Sequence, residues 1–150
     1  MLIGRKNLNL ISVVEDSRGK GVQDSSEMLR NYKDLKVWQK SYQLCLFIYK
    51  VTKEFPNDER YCLTSQIRRA SVSVPNNIAE GYGRKSTPEY VRFLYIAYGS
   101  TCELETQILL AGDLGYIEHE QLNKIQKDIE EGERMLKALI KSLENKHLNP

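Results

Sequence analysis

Two pairs of adjacent cations, Arg68-Arg69 and Arg84-Lys85, bracket the segment 66–85, Q-I-R-R-A-S-V-S-V-P-N-N-I-A-E-G-Y-G-R-K. Nothing in it has the chemistry of an activated nucleophile or a metal ligand. Its apolar positions Ile67, Ala70, Val74 and Ile78 recur at helical spacing, so the cations must project from a packed helix. A second set, Lys33, Lys36 and Lys40, follows three-and-four spacing and forms one cationic stripe, with Lys50 and Lys53 further along. Long basic side chains in such an array track phosphates without reading bases. The plainer alternative is solvated surface, with Arg68 or Arg69 paired to Glu103 or Glu105. Tyr82, expected to be exposed beside Arg84 and Lys85, offers a ring on which a base can stack. The pattern points to a binding module and away from an enzyme.

Other chemistries find less support. A di-iron bundle needs two Glu-x-x-His pairs on facing helices, and Glu144 with His147 is the one such spacing here. His119 falls in an expected turn, so both histidines read as surface residues, and no metal or other cofactor is implied. Gly81-Tyr82-Gly83 lacks the preceding strand and following Gly-Lys-Ser/Thr of a phosphate loop and reads as a helix end. Glu103 with Glu105, and Glu130 with Glu131, sit at spacings that place each pair on different faces. Cys45, Cys62 and Cys102 are odd in number, without C-x-x-C spacing. They are expected to be buried reduced thiols, which suits a cytoplasmic setting.

At 150 residues the chain fits one domain with one core. Its net charge of +2 hides an uneven distribution. Residues 28–85 carry eleven Lys/Arg against five Asp/Glu, whereas residues 86–150 carry seven against eleven. A basic front half and an acidic back half can attract a polyanion or meet another copy head to tail. The apolar run 8–14 is broken by Asn9 and Ser12 and makes a poor signal peptide; no stretch is long enough to cross a membrane. Residues 1–31 are polar and aperiodic and are expected to be a flexible tail.

The elements that must position the cations are four helices. The first spans about 32–55 and ends before Pro56. The second spans about 58–81, with a kink expected at Pro75 and an end at Gly81 and Gly83. The third opens at Ser86, or one residue later at Thr87, and closes at Gly112; the fourth runs about 118–143. No alternating run competes for a strand. The expected fold is all-α, an antiparallel up-down four-helix bundle over residues 32–145 with a fray over 146–150. The first helix carries two apolar lines. Trp38, Tyr42, Cys45 and Tyr49 are expected inward, and Val37, Leu44, Ile48 and Val51 are expected outward, as an oligomer interface.

D-L-K-V-W-Q-K-S-Y (34–42), L-T-S-Q-I-R-R-A-S-V-S-V-P-N-N-I-A-E-G-Y-G-R (63–84) and L-G-Y-I (114–117) resemble a bacterial family of small four-helix bundles. That family includes proteins encoded in intervening sequences of large-subunit ribosomal RNA genes, and accessory variability determinants of diversity-generating retroelements. The resemblance covers about residues 30–145. It implies assembly into a ring, typically a homopentamer, and no enzymatic activity. For the retroelement branch it implies binding of RNA or DNA and of a reverse transcriptase. Arg68, Arg69, Asn77, Glu80, Gly81 and Arg84 match the family motif, mostly as markers of fold and assembly.

Overall fold

A computed structural model describes residues 30–149, so the tail expected over 1–31 lies, but for its last two residues, outside the described residues. The described residues open with a capping box. Asn31 Oδ1 accepts from Lys33 N at 2.7 Å, and the Asp34 carboxylate accepts from the Arg30 and Asn31 amides. These bonds close a single 3-10 turn, Tyr32–Asp34. Four α-helices follow: α1 (Lys36–Thr52), α2 (Leu63–Tyr82), α3 (Thr87–Asp113) and α4 (His119–Leu148). No strand occurs among the described residues, and the four-helix arrangement is the one expected.

Several boundaries differ for local reasons. Between α1 and α2 the early acids form a separate 3-10 turn, Asn57–Glu59, and do not open the helix. Glu59 Oε2 accepts from Leu63 N at 3.1 Å, capping α2 from outside. At α3 the Ser86 alternative is the one realised: its Oγ accepts from Glu89 N and donates to Glu89 Oε2. Gly81 does not stop α2; a Cβ there would stand 2.7 Å from Phe93 Cβ, so this glycine lets α2 and α3 approach. The turn after α3 uses Gly115 at φ +76, a left-handed conformation that costs glycine nothing. α4 continues to Leu148, past the expected start of the fray.

Pro75 is buried within a continuous α2. Neighbouring side chains cross-link that region: Ser71 Oγ donates to Arg68 O, and Asn77 Nδ2 to Ser73 O. Ser73 and Ser100 join α2 to α3 at 2.8 Å.

The core has two clusters. One joins Leu44, Ile48 and Val51 of α1 to Ile67 of α2, Leu104 and Ile108 of α3, and Ile125 and Ile129 of α4. The other joins Val37, Val74, Ile78, Leu94, Leu136 and Ile140 at the opposite end. Late α1 meets early α2, and late α3 meets early α4, which is the up-down antiparallel order.

These clusters reverse the reading of α1. Val37, Leu44, Ile48 and Val51 are core of the single chain, with Ile48 fully enclosed, and are not available as a subunit interface. Trp38 and Cys45 are half-buried, while Tyr42 and Tyr49 are exposed. The two core clusters are built mainly of close-packed aliphatic side chains, although Ser41, Thr52, Thr64, Ser71, Thr101 and Gln107 are buried as well. Along α1, Trp38, Tyr42 and Tyr49, which carry a hydroxyl or indole N–H, are left partly or largely exposed. Trp38 stacks on Tyr42 at 5.0 Å and meets Tyr32 edge-on, forming an aromatic strip along the outside of α1.

Candidate functional site

One polar face of α2 carries Tyr61 just before the helix, then Ser65, Arg68, Arg69, Val72, Ser73, Asn76, Asn77 and Glu80. Their spacing of three and four keeps them on one side of the helix. With Tyr49 of α1 and Arg60 of the preceding turn they line an open groove of ≈ 730 Å³.

Arg68 is the best-positioned cation in the groove. Its Nε donates to Thr52 Oγ1 at 2.9 Å, and its guanidinium lies 4.7 Å from the centroid of the Tyr49 ring. Thr52 Oγ1 in turn donates to Ile48 O at 2.8 Å. The side chain is thus fixed by a neutral hydroxyl and an aromatic face, and its charge is not cancelled. Arg69 is exposed and makes no ion pair among the described residues. Arg60 lies over the Tyr61 ring at 5.4 Å. The expected alternative of pairing with helix three does not occur: Glu103 accepts from Gln107 Nε2 instead. Glu80, at the far end, is held by Arg84 at 2.6 Å. Among the described residues, three guanidinium groups therefore line the groove with no carboxylate bound to any of them.

The remaining expected cations lie elsewhere. Arg84 also packs over Phe93 at 4.5 Å, and Lys85 stands exposed in the α2–α3 turn. Thirteen helical residues, 70–82, separate Arg69 from the turn that carries Arg84, about 20 Å of helix. Lys40 pairs with Glu131 of α4 at 2.8 Å. Lys33 is exposed with Nζ 5.9 Å from the Tyr32 ring, and Lys36 is half-buried. The structure thus unites Arg68 and Arg69 and separates both from the lysine stripe. Tyr82 is half-buried, meeting Tyr90 edge-on at 6.1 Å, and serves the α2–α3 contact. Arg60, Tyr61 and Tyr49 were the residues sequence reasoning missed. The signal that points to them is the repeat Tyr61, Ser65, Arg68, Val72 and Asn76 at helical spacing, polar but for Val72.

Other groups are structural. Cys45, Cys62 and Cys102 are free, but Cys62 is exposed and the other two are only half-buried, unlike the buried thiols expected. Burial, and then the nearby Glu133, push the Cys102 thiol up and away from the reactive thiolate. Tyr116 donates to Glu59 at 3.1 Å, which raises its pKa and ties the α3–α4 turn to the α2 cap. Among the described residues, no group of three or more His, Cys, Asp or Glu is arranged to hold a metal ion. No helix among them is long and apolar enough to cross a membrane.

A crystal structure from Bacteroides thetaiotaomicron VPI-5482, described as a protein with unknown function from the S23 ribosomal protein family, shares this fold. It is 28% identical, aligns over 70% of this chain and 98% of its own, and has a TM-score of 0.66. No curated protein matches the chain. Residues 33–138 match the 23S rRNA-intervening sequence proteins. That span takes in the arginine face and nearly the whole bundle, and the chain belongs to the 23S rRNA-intervening sequence protein family.

Proposed function

We propose that this chain is a non-enzymatic, self-assembling cytoplasmic adaptor that binds the sugar–phosphate backbone of RNA or DNA. The observation that carries the reading is the groove in which Arg60, Arg68 and Arg69 gather with no carboxylate partner among the described residues. Such cations release counterions from a nucleic acid and need no base contacts to bind it. The family's description, which ties it to 23S rRNA intervening sequences, favours an RNA-linked setting.

Self-association would use apolar side chains the single chain leaves uncovered. Leu109, Leu110 and Leu114 are each 42–50% exposed at the end of α3. A second copy is the natural cover for a cluster of that kind. A homopentamer, and a protein partner such as a reverse transcriptase, are the finer forms of the reading that the family resemblance suggests. The same leucines favour a second reading, a protein-interaction scaffold that never contacts nucleic acid.

Titration of fluorescein-labelled single-stranded RNA at ~50 and ~200 mM salt separates the two. Three phosphate contacts predict roughly 20-fold weaker binding at the higher salt. No binding at the lower salt would leave the scaffold reading standing.

A further inference from the structure

Resting on that nucleic-acid reading, we infer that the groove between α1 and α2 takes an unpaired nucleotide segment, with a base stacked on Tyr61 and the adjoining phosphates on Arg60, Arg68 and Arg69.

Tyr61 is 85% exposed, the most exposed large apolar residue among those described. A ring that packed for stability would be covered. Among the described residues, the Arg60 guanidinium lies over this ring, 5.4 Å from its centroid. An exposed ring beside cations is the arrangement with which proteins hold single strands, because every base offers a π-face.

Shape argues against a duplex. Paired bases are read by elements that protrude into a major groove about 12 Å wide. Here the cations lie along a hollow bounded by α1, α2 and their connecting turn, which suits a strand narrower than a helix pair. Arg68 is fixed in advance by Thr52 and Tyr49, so binding a phosphate orders little more of it.

The test uses the full chain with fluorescein-labelled rU12, dT12, a 12-bp RNA duplex and a 12-bp DNA duplex at ~50 mM salt. Unlabelled decaglutamate serves as a competitor of the other polyanionic class. Tighter capture of either single strand than of both duplexes is expected. Tyr61→Ala should weaken that capture roughly 5- to 150-fold, from the worth of one stacked base, while Tyr61→Phe retains it. Lys85→Ala, at the far end of α2, should leave it unchanged. Circular dichroism confirms that each variant keeps its helices. Equal affinity for strands and duplexes, indifference to Tyr61→Ala, or displacement of rU12 by decaglutamate at equal charge would each overturn the inference while leaving the backbone-binding reading in place. Failure of every oligonucleotide to bind would overturn both.

Discussion

The Arg68 guanidinium lies 4.7 Å over the Tyr49 ring while its Nε is held by Thr52, so one residue of α2 is clamped by two of α1. That clamp joins stability to the groove, because Thr52 also bonds its own helix through Ile48 O. Thr52→Val keeps the buried shape and removes the acceptor. The variant should lose about 1 kcal/mol, read as a melting temperature lower by roughly 3–5 °C. Its affinity for single-stranded RNA should fall as well, since Arg68 is no longer fixed. An unchanged melting temperature would mean that the clamp contributes nothing.

Gly81→Ala opposes two effects. Helix propensity favours alanine by about 1 kcal/mol. The new Cβ would stand 2.7 Å from Phe93 Cβ and 3.0 Å from Tyr90 Cδ2, too close to be absorbed by a flexible side-chain end. Overpacking typically costs about 1–3 kcal/mol, so denaturant unfolding should show a net loss. A gain in stability would show that α2 and α3 have room to part.

The two lines of α1 make an unequal pair of targets. Ile48→Ala should cost about 2–5 kcal/mol, since Ile48 is 0% exposed. Tyr42→Ala, at 44% exposure, should cost much less, mostly its stacking on Trp38. Equal effects in urea unfolding would contradict the assignment of the aliphatic line to the core.

That assignment also marks where the sequence was and was not legible. Four helices, their order and a cap at Ser86 or Thr87 follow from periodicity and capping chemistry, which are local; the structure selects Ser86. Both lines of α1 have the helical period, and periodicity alone cannot say which of two apolar faces is covered. The choice is made by the aliphatic surfaces of α2, α3 and α4, which accept Ile48 and leave Tyr42 and Tyr49 outside. The same limit hid the groove. Arg68 and Arg69 are conspicuous in sequence, but Arg60 and Tyr61 join them only through the turn before α2, and Tyr49 only by packing across from α1. Lys40 was equally conspicuous, and its partner Glu131 lies on another helix.

Tyr90 sets an alkaline limit on the α2–α3 contact. Burial, with the neighbouring Tyr82, raises its pKa from the ordinary 10.0 to about 12. The folded state therefore favours the protonated ring. Its contribution is complete below pH 10 and is lost as pH rises through 10 toward about 12. The Tyr90 hydroxyl is buried without a partner, so Tyr90→Phe should be neutral or slightly stabilising at pH 7. The variant should also lose less stability than the parent as pH rises from 10 toward about 12. An equal alkaline loss in both proteins would assign it to other groups.

The central claim is that the arginines of the groove, and not the lysines of the first helix, hold nucleic acid. Its most direct test compares the salt dependence of rU12 binding for two triple variants. With Arg60, Arg68 and Arg69 changed to Ala, affinity at ~50 mM salt should collapse, and the slope of log K against log salt should shrink by about 2. With Lys33, Lys36 and Lys40 changed to Ala, both should stay near those of the parent chain. The reverse pattern, or equal losses in the two variants, would contradict the account.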